Sequence, residues 1–178
     1  MKISIVGAGI SGVCAANLLA QEGFEVDVFE KSRGLGGRLT TKRLDWAHID
    51  IGAQYFTARD PRFIKQVDAW QQQQAAAIWN FQPHSLNSGK LSLSKDETMR
   101  FVGTPRMNSI VHEMSKDLTI KLDTRINTIR LNEQLSTRQS WDLIDESGQE
   151  YTDYDWLIVS APADQAQYLL EHSPTDLS

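Results

Sequence analysis

Three glycines stand two and three residues apart in ISIVGAGISGVCAANLLA, at Gly7, Gly9 and Gly12, directly behind an apolar run. The run from Ile3 to Val6 reads as a short strand buried on both faces of a parallel sheet. Behind the glycines, Val13, Ala16, Leu19 and Ala20 recur at helical spacing, and Gly23 supplies a helix stop. The glycines therefore occupy a strand-to-helix turn, which is the context a dinucleotide-binding fingerprint requires. Gly7 permits the tight turn, Gly9 lets backbone approach a pyrophosphate, and Gly12 lets the helix pack close to the strand. Ile10 and Ser11 open the helix, whose N-terminal amides and positive dipole end face the phosphates.

The next segment strengthens the pattern. FEVDVFEKS reads as a second strand with Phe24, Val26 and Val28 alternating, and it ends at Glu30, eighteen positions after Gly12. An acid roughly twenty residues on accepts hydrogen bonds from a ribose in such folds. That carboxylate would repel a ribose 2′-phosphate, whereas Lys31 and Arg33 beside it would attract one. EKSRGLGGRLTTKR then sets a second glycine pair, Gly36 and Gly37, directly before Arg38. A guanidinium holds a pyrophosphate oxygen through paired donors as a lysine does not, and a simple nicotinamide-binding domain has no need of this second loop.

Composition removes several classes. A net charge of −5 lacks the basic footprint of a nucleic-acid binder. One cysteine in 178 residues excludes an internal disulfide framework and fits a reducing compartment. Cys14, in the first helix, is expected to pack as a small buried apolar residue. His48, His84, His112 and His172 have no metal-ligand spacing, and neither a nucleophile elbow nor a Walker loop is present. The N-terminus is not a secretory signal, because three glycines and Asn17 interrupt its apolar stretch, and no apolar run reaches the ~20 residues of a membrane span. The chain is expected to be soluble and cytoplasmic, without nucleic-acid or membrane partners.

Further along, Asp60 and Pro61 form the cap and first position of a helix whose inward residues are Phe63, Val67, Trp70 and Ile78, with the Gln71 to Gln74 run on its exposed face. A ribbon turned at Ser88 and Gly89 follows. Thr104 and Pro105 are expected to cap a helix with Ile110, Val111 and Met114 inward. LTIKLDTRINTIRLNE reads as paired or bent strands. SWDLIDESGQEYTDYDWLIVSAP reads as a hairpin turned at Ser147 and Gly148, leading into a buried strand from Trp156 to Val159 that Pro162 ends.

The glycine fingerprint, Glu30 and the Gly36–Gly37–Arg38 loop together resemble the glutathione-reductase-type FAD fold in its amine-oxidase branch. DIGAQYFTARDPRF, RFVGTPRMN and WLIVSAPADQA narrow this to a resemblance to the bacterial members of the renalase family of flavoproteins, running in order over essentially the whole chain. The resemblance implies FAD as cofactor. It places Ser11 at the pyrophosphate turn, Glu30 at the adenosine ribose and Arg38 over the phosphates, with Lys31 among the cofactor-binding residues. It brings Gln54 and Tyr55 to the flavin end, and has the backbone of Ile126 grip adenine. Arg106 departs from the family pattern, which has glycine before the Met-Asn pair.

The fold expected is α/β: a Rossmann-like FAD/NAD(P)-binding domain with a parallel central sheet and a β-ribbon, plus the beginning of an inserted substrate domain. Residues 1–54 and 100–178 make the cofactor domain, and 55–99 begin the substrate domain. By resemblance, a dihydronicotinamide isomer or amine-type small molecule gives a hydride to the flavin, and oxygen reoxidises it with release of peroxide. No side chain is named as a catalytic acid or base, since the flavin carries the chemistry. Tyr55 and Phe56 read equally as pocket walls and as core aromatics. Because renalase-like proteins continue well beyond this length, the chain is expected to be their N-terminal half, with a missing C-terminal half as a partner. Two other readings remain open: a non-catalytic dinucleotide-binding remnant and an NAD-dependent dehydrogenase domain.

Overall fold

The computed structural model describes residues 1–132 and 139–174. In chain order its elements begin with β1 (Lys2–Val6), α1 (Ile10–Gln21), β2 (Glu25–Phe29), β3 (Thr41–Arg43) and β4 (His48–Asp50). They continue with α2 (Pro61–Gln72), β5 (Ala76–Ile78), β6 (His84–Asn87), β7 (Lys90–Leu93), β8 (Phe101–Gly103) and α3 (Ser109–Met114). The last are β9 (Thr119–Lys121), β10 (Ile126–Asn132), β11 (Ser140–Asp145), β12 (Glu150–Tyr154), β13 (Trp156–Val159) and α4 (Ala163–Glu171). The chain divides into two compact units, Met1–Arg38 with Met114–Ser178, and Leu39–Glu113. These packing units are bounded differently from the functional domains expected at 1–54, 55–99 and 100–178: β3, β4, β8 and most of α3 fall in the second unit.

The first unit is built on a parallel sheet ordered β13-β1-β2-β9. Ile3, Ile5, Val26 and Val28 are buried, as expected of a sheet covered on both faces. α1 turns Gly12, Val13 and Ala16 inward, with Leu19 half-buried and Ala20 exposed. Cys14 is exposed, which corrects its reading as a buried residue. One residue beyond Val13 is a rotation of ~100° around the helix, enough to carry the thiol off the apolar stripe. Cys14→Ala is therefore expected to change stability by no more than about 0.5 kcal/mol; a larger drop in the urea midpoint would show that the thiol packs.

β13, expected as a buried strand, is only half-buried over residues 157–159. Among the described residues it pairs only with β1, so it lies at the sheet edge, and Trp156 is 60% exposed. The antiparallel sheet β10-β11-β12 packs with β2 and α4 around Phe29, Ile126, Ile129, Leu143, Tyr154 and Leu169.

At the rim of that core, Asp27 accepts hydrogen bonds from Tyr154 Oη at 2.6 Å and Lys121 Nζ at 2.8 Å, and Lys2 Nζ lies 4.3 Å from the centre of the Tyr154 ring. Burial pushes the Asp27 carboxyl up, but those two hydrogen bonds and the charges of Lys121 and Lys2 outweigh it and hold the group below the ordinary carboxylate value. A lowered folded-state value contributes stability that is present above the unfolded value and is lost as pH falls through the folded one. Tyr154→Phe is expected to cost about 1.5 kcal/mol at neutral pH. The deficit should shrink in acid, as Asp27 protonates in both proteins. Urea titrations at a series of pH values check this, and a pH-independent deficit would assign the loss to packing alone.

In the second unit, α2 begins as expected: Asp60 caps it by accepting a hydrogen bond from the Arg62 amide at 2.8 Å, with Pro61 at the first position. Ile78 does not continue that helix. α2 stops at Gln72, Gln74 takes a φ of 60°, and Ile78 lies in β5 paired with Phe101. The helical spacing of Ile78 was a coincidence of register across a turn. Likewise Thr104 and Pro105 do not cap α3, which starts at Ser109. Instead the Thr104 amide and hydroxyl donate to the carbonyls of Ala75 and Gln74. The core here is aromatic, with Phe56, Phe63, Trp70 and Phe101 in mutual edge and stacked contact.

Candidate dinucleotide site

The first unit carries the glycine turn where the sequence placed it. Gly7 follows β1 with a φ of 108°, and its amide donates to the Phe29 carbonyl at 2.8 Å, joining the ends of β1 and β2. Gly12 lies against this turn: a Cβ built on it would stand 2.0 Å from the Gly7 carbonyl oxygen. The first α-helical bond of α1 runs from the Val13 amide to the Gly9 carbonyl. The amides of Ile10, Ser11 and Gly12 precede it, and neither a capping side chain nor an acid stands in the first turn. Such an end carries a partial positive charge suited to an anion.

The second glycine pair lies directly on the first. The Gly36 amide donates to the Ala8 carbonyl at 3.2 Å, Gly9 and Gly36 form a parallel bridge, and a Cβ on Gly37 would stand 3.1 Å from the Gly9 Cα. Two backbone loops without side chains thus meet in front of the α1 N-terminus. Arg38 follows in a single 3-10 turn, Gly37–Leu39, exposed and without an ion-pair partner among the described residues.

Glu30 is 7% exposed, so it is not a solvated strand end. Its Oε2 accepts the Ala8 amide at 2.9 Å and its Oε1 accepts the Ser32 amide at 2.8 Å. The carboxylate clamps the glycine turn to the end of β2, while each oxygen keeps a further lone pair for a hydroxyl donor. Lys31 is held away by Gln165 of α4, its Nζ donating to Oε1 at 2.7 Å. Ile126 opens β10 at a register shift and turns its side chain into the core.

Sequence reasoning missed Ser160. Its hydroxyl donates to the Gly7 carbonyl at 2.8 Å, bracing the turn from the end of β13. Its one signal was a small hydroxyl residue directly after an apolar strand, in the quoted VSAP. Gln54 and Tyr55 lie in the second unit and are exposed. Tyr55 packs against Trp79, with the Arg100 guanidinium 5.2 Å from its ring centre. Of the two aromatics weighed as wall or core, Phe56 is half-buried against Phe63, Trp70 and Phe101, and Tyr55 is at the surface.

Comparison with known proteins agrees with this geometry. Residues 5–70 match the family described as NAD(P)-binding Rossmann-like domain. A 4,4′-diapophytoene desaturase (4,4′-diaponeurosporene-forming) of Staphylococcus aureus is 42% identical over 52 residues, which is 29% of this chain and 10% of the desaturase. A protein from Exiguobacterium sp. 255-15 assigned as a protoporphyrinogen oxidase superposes with a TM-score of 0.71 at 14% identity, over 96% of this chain and 61% of that one. Wild-type putrescine oxidase bound to putrescine gives 0.71 at 13% identity, over 95% and 60%. The chain thus has the α/β fold of these oxidases over its own length, and spans about three-fifths of theirs. Among the described residues no helix is long and apolar enough to cross a membrane.

Proposed function

We propose that this chain is the FAD-binding part of a flavin-dependent oxidoreductase. The observation that carries the reading is the direct contact between the two glycine loops, Ala8–Gly9 and Gly36–Gly37, in front of the α1 N-terminus. A single nucleotide-binding turn needs only the first loop, whereas a pyrophosphate flanked on both sides uses both. The fit is one of backbone: a Cβ on Gly37 would stand 3.1 Å from the Gly9 Cα and one on Gly12 2.0 Å from the Gly7 carbonyl oxygen, so glycine at these positions lets the loops and the helix close up and offer bare backbone to a diphosphate.

In this reading the amides of Ile10, Ser11 and Gly12 bind the pyrophosphate, and Arg38 adds a charged fork. Glu30 accepts the ribose hydroxyls with the lone pairs that Ala8 and Ser32 leave. The Ile126 backbone holds the adenine. When bound, FAD supplies the hydride acceptor, and the protein orients it and excludes water. The resemblance of the middle and late motifs to renalases supports a dihydronicotinamide dinucleotide isomer as hydride donor. The structural likeness to putrescine oxidase supports an amine as the competing donor.

The family match at residues 5–70 favours one second reading, in which the same turn holds a nicotinamide dinucleotide instead. Calorimetric titration with FAD and with NAD+ separates the two. Tighter binding of FAD and a yellow protein after gel filtration support the flavin reading, and preference for NAD+ overturns it. Anaerobic mixing of the flavin-loaded protein with dihydronicotinamide isomers or with putrescine then identifies the donor by bleaching.

A further inference from the structure

We propose that Ser160 is a positioning residue for Glu30, acting across the glycine turn through the peptide group that joins Gly7 to Ala8. The proposal rests on the reading of this turn as a dinucleotide site. Ser160 Oγ donates to the Gly7 carbonyl at 2.8 Å, and the N–H of that same peptide group, on Ala8, donates to Glu30 Oε2 at 2.9 Å. Hydroxyl, peptide and carboxylate therefore form one chain of hydrogen bonds, running from the end of β13 over β1 to the residue after β2. β13 and β2 flank β1 in the sheet, and the whole chain of bonds lies within the first unit.

A carbonyl that accepts a hydrogen bond polarises its peptide and makes the N–H at the other end a stronger donor, most of all where water is excluded. Ala8 and Glu30 are both buried. Glu30 Oε1 is held separately by the Ser32 amide at 2.8 Å, so the bond from Ala8 fixes the second oxygen and with it the rotation of the carboxylate. That rotation decides where the remaining lone pairs point for ribose hydroxyls. The backbone alone ties β13 to β1 at this end: the Ser160 amide donates to the Val6 carbonyl at 2.9 Å, whereas its hydroxyl is 3.4 Å from that oxygen. Removing the hydroxyl thus leaves the ladder intact and takes away the bond at Gly7. Ser4 supplies the contrast. Its hydroxyl donates to the Trp156 carbonyl at 3.2 Å and joins the same two strands, but its neighbour on β2 is Asp27, away from the end that carries Glu30.

The test is a pair of double-mutant cycles on the whole chain, combining Ser160→Ala with Glu30→Ala. In the first, urea unfolding without ligand, the two losses in midpoint should be clearly less than additive, because each variant breaks the same chain of bonds. In the second, calorimetric titration with FAD, Ser160→Ala should weaken binding about three- to tenfold in the parent and less than about twofold beside Glu30→Ala. A serine that only braced the turn would weaken binding equally in both backgrounds. Ser4→Ala combined with Glu30→Ala should be additive in both cycles. Additive unfolding losses for Ser160→Ala and Glu30→Ala, an equal loss of FAD affinity in both backgrounds, or coupling of the same size for Ser4→Ala would each overturn the proposal. The unfolding cycle needs no ligand. If the parent chain binds no FAD, the flavin reading falls, while that cycle still decides the link between Ser160 and Glu30.

Discussion

Gly12→Ala is expected to destabilise the protein by about 3 kcal/mol or more and to abolish FAD binding. The added methyl would stand 2.0 Å from the Gly7 carbonyl oxygen and 2.5 Å from the Ser160 hydroxyl. The hydroxyl can rotate, but the carbonyl belongs to the turn that joins β1 to α1, so either the helix lifts from the sheet or the turn deforms. Both outcomes move the amides of Ile10 and Ser11. Against a typical total stability of about 5 to 15 kcal/mol, such a loss is a large fraction. Urea unfolding followed by circular dichroism measures it as a lower midpoint at unchanged slope. Gly34→Ala is the matched control, since a Cβ there meets nothing within 4 Å. Equal midpoints for the two variants would contradict the close approach of α1 to the turn.

Glu30→Ala is expected to have two separable effects. Ala8 is fully buried, and its amide donates to Glu30 Oε2, so truncation leaves that N–H without a partner in the interior at a cost of about 1 to 3 kcal/mol. Loss of a charged acceptor for the ribose should in addition weaken FAD binding by roughly ten- to a hundredfold. Glu30→Gln keeps the volume and one acceptor oxygen, so it should recover part of the stability and less of the affinity. Calorimetric titration well below each variant's unfolding transition distinguishes the effects. If Glu30→Ala is less stable yet binds FAD as tightly as the parent, Glu30 is a clamp on the glycine turn and not a ribose ligand.

The parts of this protein legible in its sequence are those set by neighbours along the chain. The order β1, α1, β2 follows from the spacing of apolar residues around Gly7, Gly9 and Gly12. The hairpin of β6 and β7 follows from Ser88 and Gly89, whose φ values of 47° and 78° suit a tight turn. Asp60 and Pro61 announced the start of α2 because a cap acts within its own turn. Tertiary structure decided what depends on partners remote in sequence. Among the described residues β13 pairs only with β1, which leaves Trp156 exposed as an apolar run alone cannot foretell, and the turn at Gln74 moved Ile78 out of its helical register into β5. Above all, the contact of Gly36–Gly37 with Ala8–Gly9 brings together residues almost thirty positions apart, and Ser160 reaches the same turn from the end of the adjacent strand β13 at a separation of 153. Local propensity names the glycines as turn formers. Only the packed fold decides that two such turns share one face, because that depends on which strands lie side by side.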